Sequence, residues 1–107
     1  MEKKFYLSNA FSLQMIDPNA IIVTRPSEAA EVPLNAISCI GHADTAAVLS
    51  SILGREVEVN RVSIHLNKGD VLYVAQVMGG RLPEGATTLP EGFRIEFIRV
   101  EMFAHSI

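Results

Sequence analysis

Between Thr45 and Gly54 the apolar residues Val48, Leu49, Ile52 and Leu53 recur at helical spacing, which lays one stripe along an α-helix and constrains this chain more than any other feature. Gly54 supplies a natural stop. A helix this short is stable only when its stripe is packed, so the remaining sequence must provide a surface to receive it. At the front end Gly41 removes a side chain and permits a tight backbone turn, which places His42 at or near the first helical turn, its imidazole displayed. A ligand phosphate can meet it there, because the free N–H groups of a helix start attract anions.

The receiving surface is read as strands. Phe5-Tyr6-Leu7 is a short first strand running into small polar residues, Ser8 to Ser12, that turn the backbone. Leu13 to Ile16 makes one helical turn, which Asp17-Pro18-Asn19 breaks, and Ile21-Ile22-Val23 is a β-branched buried strand. Thr24 to Asn35 has no clean period and is expected as a surface connection with one short helix. Val57 to Leu66 alternates and predicts a half-exposed strand that slips near Asn60-Arg61. The turn Asn67-Lys68-Gly69-Asp70 then leads into Val71 to Val77, giving an antiparallel hairpin whose second strand, nearly continuously apolar, is central and covered on both faces. Met78 to Gly92 is loop. Phe93 to Met102 is the last strand, and the tail to Ile107 is expected to fray. Together these elements predict a single domain over residues 1–107 of mixed α/β (α+β) class: about five strands in a mixed sheet, with one main helix packed across it.

Nine Lys and Arg against twelve Asp and Glu give a net charge of −3, which argues against bulk affinity for DNA or RNA. With 49% hydrophobic and only 20% charged residues, the chain has apolar surface to spare, and a homodimer is expected to cover it. One cysteine, Cys39, forms no internal disulfide, and the three histidines lack the paired spacing of a metal site, so neither metal nor other cofactor is implied. The N-terminus turns polar at Ser8-Asn9, short of a signal-peptide core, and no apolar run approaches membrane-spanning length. A soluble, cytoplasmic protein with no membrane partner is expected.

Among residues able to carry chemistry, His42 combines the side-chain type whose unperturbed pKa lies near neutrality with a place beside a glycine at a helix start, although a histidine there also serves merely to cap the helix or pack on the sheet. The helix start lowers imidazolium stability, while a bound phosphate restores it, so ligand binding arms an acid. Arg61, in Asn60-Arg61, and Arg81, in Arg81-Leu82-Pro83-Glu84-Gly85, offer forks for phosphate oxygens, though a loop arginine is commonly only solvated. Ser8-Asn9 presents donors at a strand end or simply makes a turn. Gln76 is a polar exception in an apolar strand, where a buried amide needs partners. His65 and His105 read as surface residues.

Taken together and in order, Tyr6-Leu7-Ser8-Asn9-Ala10-Phe11-Ser12, Ile40-Gly41-His42 with Thr45-Ala46, Asn60-Arg61-Val62, Gln76 and Arg81-Leu82-Pro83-Glu84-Gly85 resemble the small proteins of archaeal viruses, phages and mobile elements that include the viral anti-CRISPR ring nucleases and their cellular relatives. The likeness covers most of the chain. It implies a homodimer that binds cyclic tetra-adenylate, the second messenger of type III CRISPR defence, at the subunit interface and cuts it to linear di-adenylates, in the cytoplasm of a prokaryotic cell or virus-infected host. The resemblance puts the catalytic histidine at His42 and ligand-cradling roles at Asn9, Arg61, Gln76, Arg81 and Glu84. The chain departs from the pattern at Ser8, where alanine is expected, at Gln14, where asparagine is common, and in the Gly79-Gly80 approach to Arg81. A competing expectation is a dimeric regulator of a phage or mobile element that sequesters a nucleotide or host protein without cutting anything.

Overall fold

The computed structural model describes residues 3–106. Five strands, β1 (Phe5–Ser8), β2 (Ala20–Ser27), β3 (Ile37–Ser38), β4 (Val71–Met78) and β5 (Arg94–His105), and one α-helix, α1 (Ala43–Leu53), form a single mixed sheet in the order β2-β5-β4-β1-β3 with the helix across one face. The predicted class holds. β1 runs parallel to both β3 and β4, whereas β4 and β2 each pair antiparallel with β5.

Alternation along the strands divides the core into two layers. On the helix face Leu7, Val71, Tyr73, Ala75 and Phe97 meet Ile40, Ala46, Leu49 and Val57. On the opposite face Tyr6, Leu72, Val74, Val100 and Met102 lie under Cys39 and Leu66, with Phe11, Met15 and Ile64 packed alongside. Ile40 and Leu49 are wholly buried, so truncating Leu49 to alanine would cost about 2–5 kcal/mol.

Helix α1 begins two residues earlier than its stripe indicated and ends at Gly54, which adopts the left-handed conformation (φ 69°) as the C-cap. The buried side is Thr45, Ala46, Val48 and Leu49, while Ile52, read as part of the stripe, is exposed. Ser50 Oγ donates to the Ala46 carbonyl and accepts the Val57 N–H, each at 2.8 Å, which turns the chain back over the sheet.

The predicted hairpin is not formed. Residues 55–70 contain no strand, and β4 instead pairs antiparallel with β5 and parallel with β1. The 57–66 segment lies on the sheet as an extended cover: the Asn60 N–H bonds to the Ile40 carbonyl (2.8 Å) and the Leu66 N–H to the Met15 carbonyl (2.7 Å). Its pattern does not come from strand pairing: Val57 is buried in the helix-side layer and Leu66 in the opposite one, while Val59 and Val62 between them are exposed. The turn before β4 is present, closed by the buried Asp70 carboxylate, which accepts the N–H groups of Asn67 (2.9 Å) and Lys4 (3.1 Å).

Other boundaries move as well. β2 runs on to Ser27 and includes Pro26, which the edge position tolerates because a strand's outer amides need no partner. The expected short helix is the 3₁₀ turn Ala29–Glu31, and the turn after β1 is a 3₁₀ turn at Leu13–Met15. β3 falls within the central stretch and was not anticipated as a strand. The tail does not fray over the described residues, since β5 continues to His105 and the Ser106 N–H bonds to the Asn19 carbonyl at 2.8 Å; Ile107 lies outside them.

Candidate functional site

Because β1, β3 and β4 are parallel, their carboxyl ends face one end of the sheet, and the segments leaving them carry Ser8-Asn9, Cys39 to His42, and Met78 to Arg81. In open α/β sheets this is where ligands bind. Most of the residues singled out from the sequence therefore arrive at one end of the molecule without any one contact dictating it.

His42 is the N-cap of α1, in extended conformation (φ −126°, ψ 136°), and its side chain makes no capping hydrogen bond. The imidazole is exposed. Its carbonyl accepts the Ala46 N–H at 3.0 Å, which starts the helical ladder and leaves the amides of the first turn open to a ligand.

Arg61 reaches this position from the covering segment. A Cβ placed on Gly41 would lie 3.1 Å from Arg61 Nε, 3.5 Å from its Cγ and 3.6 Å from its Cβ, so the arginine stem lies along the bare backbone beside His42. The preceding Asn60 fixes that approach: its Nδ2 donates to the Ser38 carbonyl at 2.7 Å, while Ser38 Oγ donates to the Glu58 carbonyl.

A third segment comes from the loop after β4. Asp44, in the first turn of α1, accepts the Gly85 N–H at 3.1 Å, which ties the loop bearing Arg81 and Glu84 to the helix start. Both of those side chains are exposed. The loop is closed at its neck by Gly79 and Gly80, both at positive φ (111° and 146°), with Phe93 packed over them. The Asp44 contact was not foreseen; an acidic residue in a first helical turn is ordinary, and nothing in the sequence links it to Gly85.

Asn9 follows β1, half-buried, where Ser8 Oγ accepts the Ala10 N–H at 3.3 Å, and Ser12 caps the next 3₁₀ turn. Gln76 is not buried as its apolar strand implied. It lies exposed near the end of β4, opposite Glu96 on β5, because the covering layer stops short of it. Burial pushes the Cys39 thiol pKa up, which leaves it a poor nucleophile.

His65 and His105 are exposed, as read, but they are joined: Asp17 Oδ1 meets His65 Nε2 at 3.1 Å and Asp17 Oδ2 meets His105 Nε2 at 2.9 Å. A cavity of about 890 Å³ lies elsewhere, between the end of β2, the start of β5 and Ile52, and His42, Arg61, Arg81, Glu84, Asn9 and Gln76 do not line it. Among the described residues, no helix is long and apolar enough to cross a membrane.

The chain is 34% identical over 77 residues to uncharacterized protein 26 of Sulfolobus islandicus filamentous virus (isolate Iceland/Hveragerdi), a match that covers 66% of this chain and 64% of that protein. The chain thus spans slightly under two thirds of that relative's length. Its fold is similar to that of the solved structure of B116 of Sulfolobus turreted icosahedral virus, with a TM-score of 0.77 and 26% identity over 92% of this chain and 98% of that one. A sequence model of the STIV B116-like family matches residues 5–100, an extent that takes in all the site segments, and the chain belongs to that family.

Proposed function

We propose that this protein is a metal-independent ring nuclease that binds cyclic tetra-adenylate between two copies of the chain and cuts it into two linear di-adenylates with 2′,3′-cyclic phosphate ends, switching off type III CRISPR signalling. The observation that carries the reading is the grouping at the start of α1: an exposed His42 whose side chain makes no capping hydrogen bond, Arg61 laid against the neighbouring glycine, and a loop with Arg81 and Glu84 tied to the same helical turn.

The chemistry needs little more. The ribose 2′-hydroxyl is already adjacent to its 3′-phosphate, so holding it in line with the leaving oxygen supplies the nucleophile by proximity alone. The 2′-oxygen bonds to phosphorus as its proton passes to water, the P–O5′ bond breaks, and His42 in its imidazolium form gives a proton to the departing 5′-oxygen. Arg61 and Arg81 stabilise the charge that builds on the phosphoryl oxygens. Asn9 and Gln76 offer amides to sugar or base edges, and Glu84 orients Arg81 or accepts from an adenine amine.

A ring of four nucleotides has the symmetry of a two-fold dimer, and two copies of His42 then face opposite bonds. Val59 and Val62, exposed on either side of Asn60-Arg61, leave apolar surface for a second copy to cover.

The test is direct. Purified protein incubated with cyclic oligoadenylates, and the products resolved by chromatography, should yield di-adenylates with cyclic phosphate ends from the four-membered ring, with EDTA present. Retention of the intact ring on the protein without products would instead support the sequestering regulator.

A further inference from the structure

We propose that Asp44 is a positioning residue: its carboxylate, by accepting the Gly85 N–H, sets where Arg81 and Glu84 stand relative to His42. The proposal rests on reading those three residues as one site.

Two anchors bound the segment concerned. At the neck, a Cβ on Gly79 would meet the Gly92 carbonyl oxygen at 2.9 Å and Phe93 Cα at 3.1 Å, and one on Gly80 would meet the Phe93 ring at 3.3 Å, so the two strands of the loop touch with no side chain between them. At the tip, the Ala86 N–H closes a turn onto the Pro83 carbonyl at 3.1 Å, and Gly85, at φ 80°, points its own N–H to Asp44 Oδ1. Arg81 and Glu84 both lie between neck and tip.

Asp44 follows His42 by two residues on the same helical turn, so its bond measures the loop directly against the helix start. The neck alone does not do this, because Phe93 belongs to β5's approach and not to α1. The contact requires only an acceptor oxygen. An asparagine at position 44 keeps one in the same place, whereas alanine removes it. This separates positioning from a charge effect of Asp44 on the neighbouring His42.

The experiment compares Asp44→Ala and Asp44→Asn with the unaltered protein by limited trypsin digestion under native conditions, reading cleavage after Arg81 and, as a remote control, after Lys68. Asp44→Ala should be cut after Arg81 about fivefold faster, the change in local opening that accompanies loss of one such hydrogen bond, with cleavage after Lys68 unchanged. Asp44→Asn should be cut at the original rate. Equal rates for Asp44→Ala and the unaltered protein would overturn the proposal, as would Asp44→Asn behaving like Asp44→Ala.

On the cyclic tetra-adenylate assay, Asp44→Ala should lower kcat/KM about fivefold or more and Asp44→Asn should restore it. If the unaltered protein cuts no ring while the digestion pattern is as expected, the functional reading fails and the loop anchor stands. If it cuts the ring and digestion is insensitive to Asp44, the anchor fails and the function stands.

Discussion

Arg61 lies along Gly41: the position a Cβ would take on that glycine is 3.1 Å from the arginine Nε, and its three nearest neighbours all belong to the Arg61 side chain. The glycine next to His42 therefore serves the arginine as much as the helix start. Gly41→Ala should leave stability within about 0.5 kcal/mol, since only a flexible side chain must move, yet weaken cyclic tetra-adenylate binding, as Arg61→Ala should. Binding isotherms and thermal unfolding on the same samples decide this; an Arg61→Ala defect that Gly41→Ala does not share would place the arginine's working position elsewhere.

Gly79 is a different case, because its neighbours are backbone. With φ at 111° and a Cβ position 2.9 Å from the Gly92 carbonyl oxygen, Gly79→Ala should destabilise the fold or force the loop out of place at a cost of about 1–3 kcal/mol. Thermal unfolding should show a fall of several degrees; an unchanged midpoint with unchanged protease sensitivity at Arg81 would show that the neck is not constrained.

Asp17 gives the clearest pH dependence. Hydrogen bonds from His105 first, and then the charge and hydrogen bond of His65, hold its carboxyl below the usual aspartate value. A depressed folded-state pKa means that the unfolded chain binds more protons in that range. The stabilisation is therefore complete above the ordinary aspartate value, near pH 4, and is lost as pH falls through the folded pKa. The stability difference between the unaltered protein and Asp17→Asn should shrink steadily below about pH 4. A difference that stays constant from pH 6 down to acid unfolding would contradict the assignment.

The sequence made some of this visible and concealed the rest for physical reasons. Helix α1 was legible because a stripe ending in glycine is local information, and β4 because Val71 to Ala75 are buried on both faces. The 57–66 segment misled because its valines, isoleucine and leucine interleave with polar residues as in a strand, while the difference lies in where its amides go: to Ile40 and Met15 rather than into a ladder. β3, two residues long, is too short for any period to show. At the site, Gly41-His42 before the stripe marked the helix start. The Arg61–Gly41 approach and the Asp44–Gly85 bond join residues far apart in sequence, and spacing carries no trace of them.

The central claim is that His42 is the general acid, and single-turnover cleavage of labelled cyclic tetra-adenylate by His42→Ala tests it most directly, with binding isotherms and thermal unfolding on the same preparation. As an exposed N-cap whose side chain makes no capping hydrogen bond, His42 contributes little to the fold, so the variant should unfold within a few degrees of the original and still bind the ring. Its cleavage should slow by roughly 10²–10⁴-fold, the range for a lost general acid. Cleavage at the original rate by a folded, ring-binding His42→Ala protein would contradict the account.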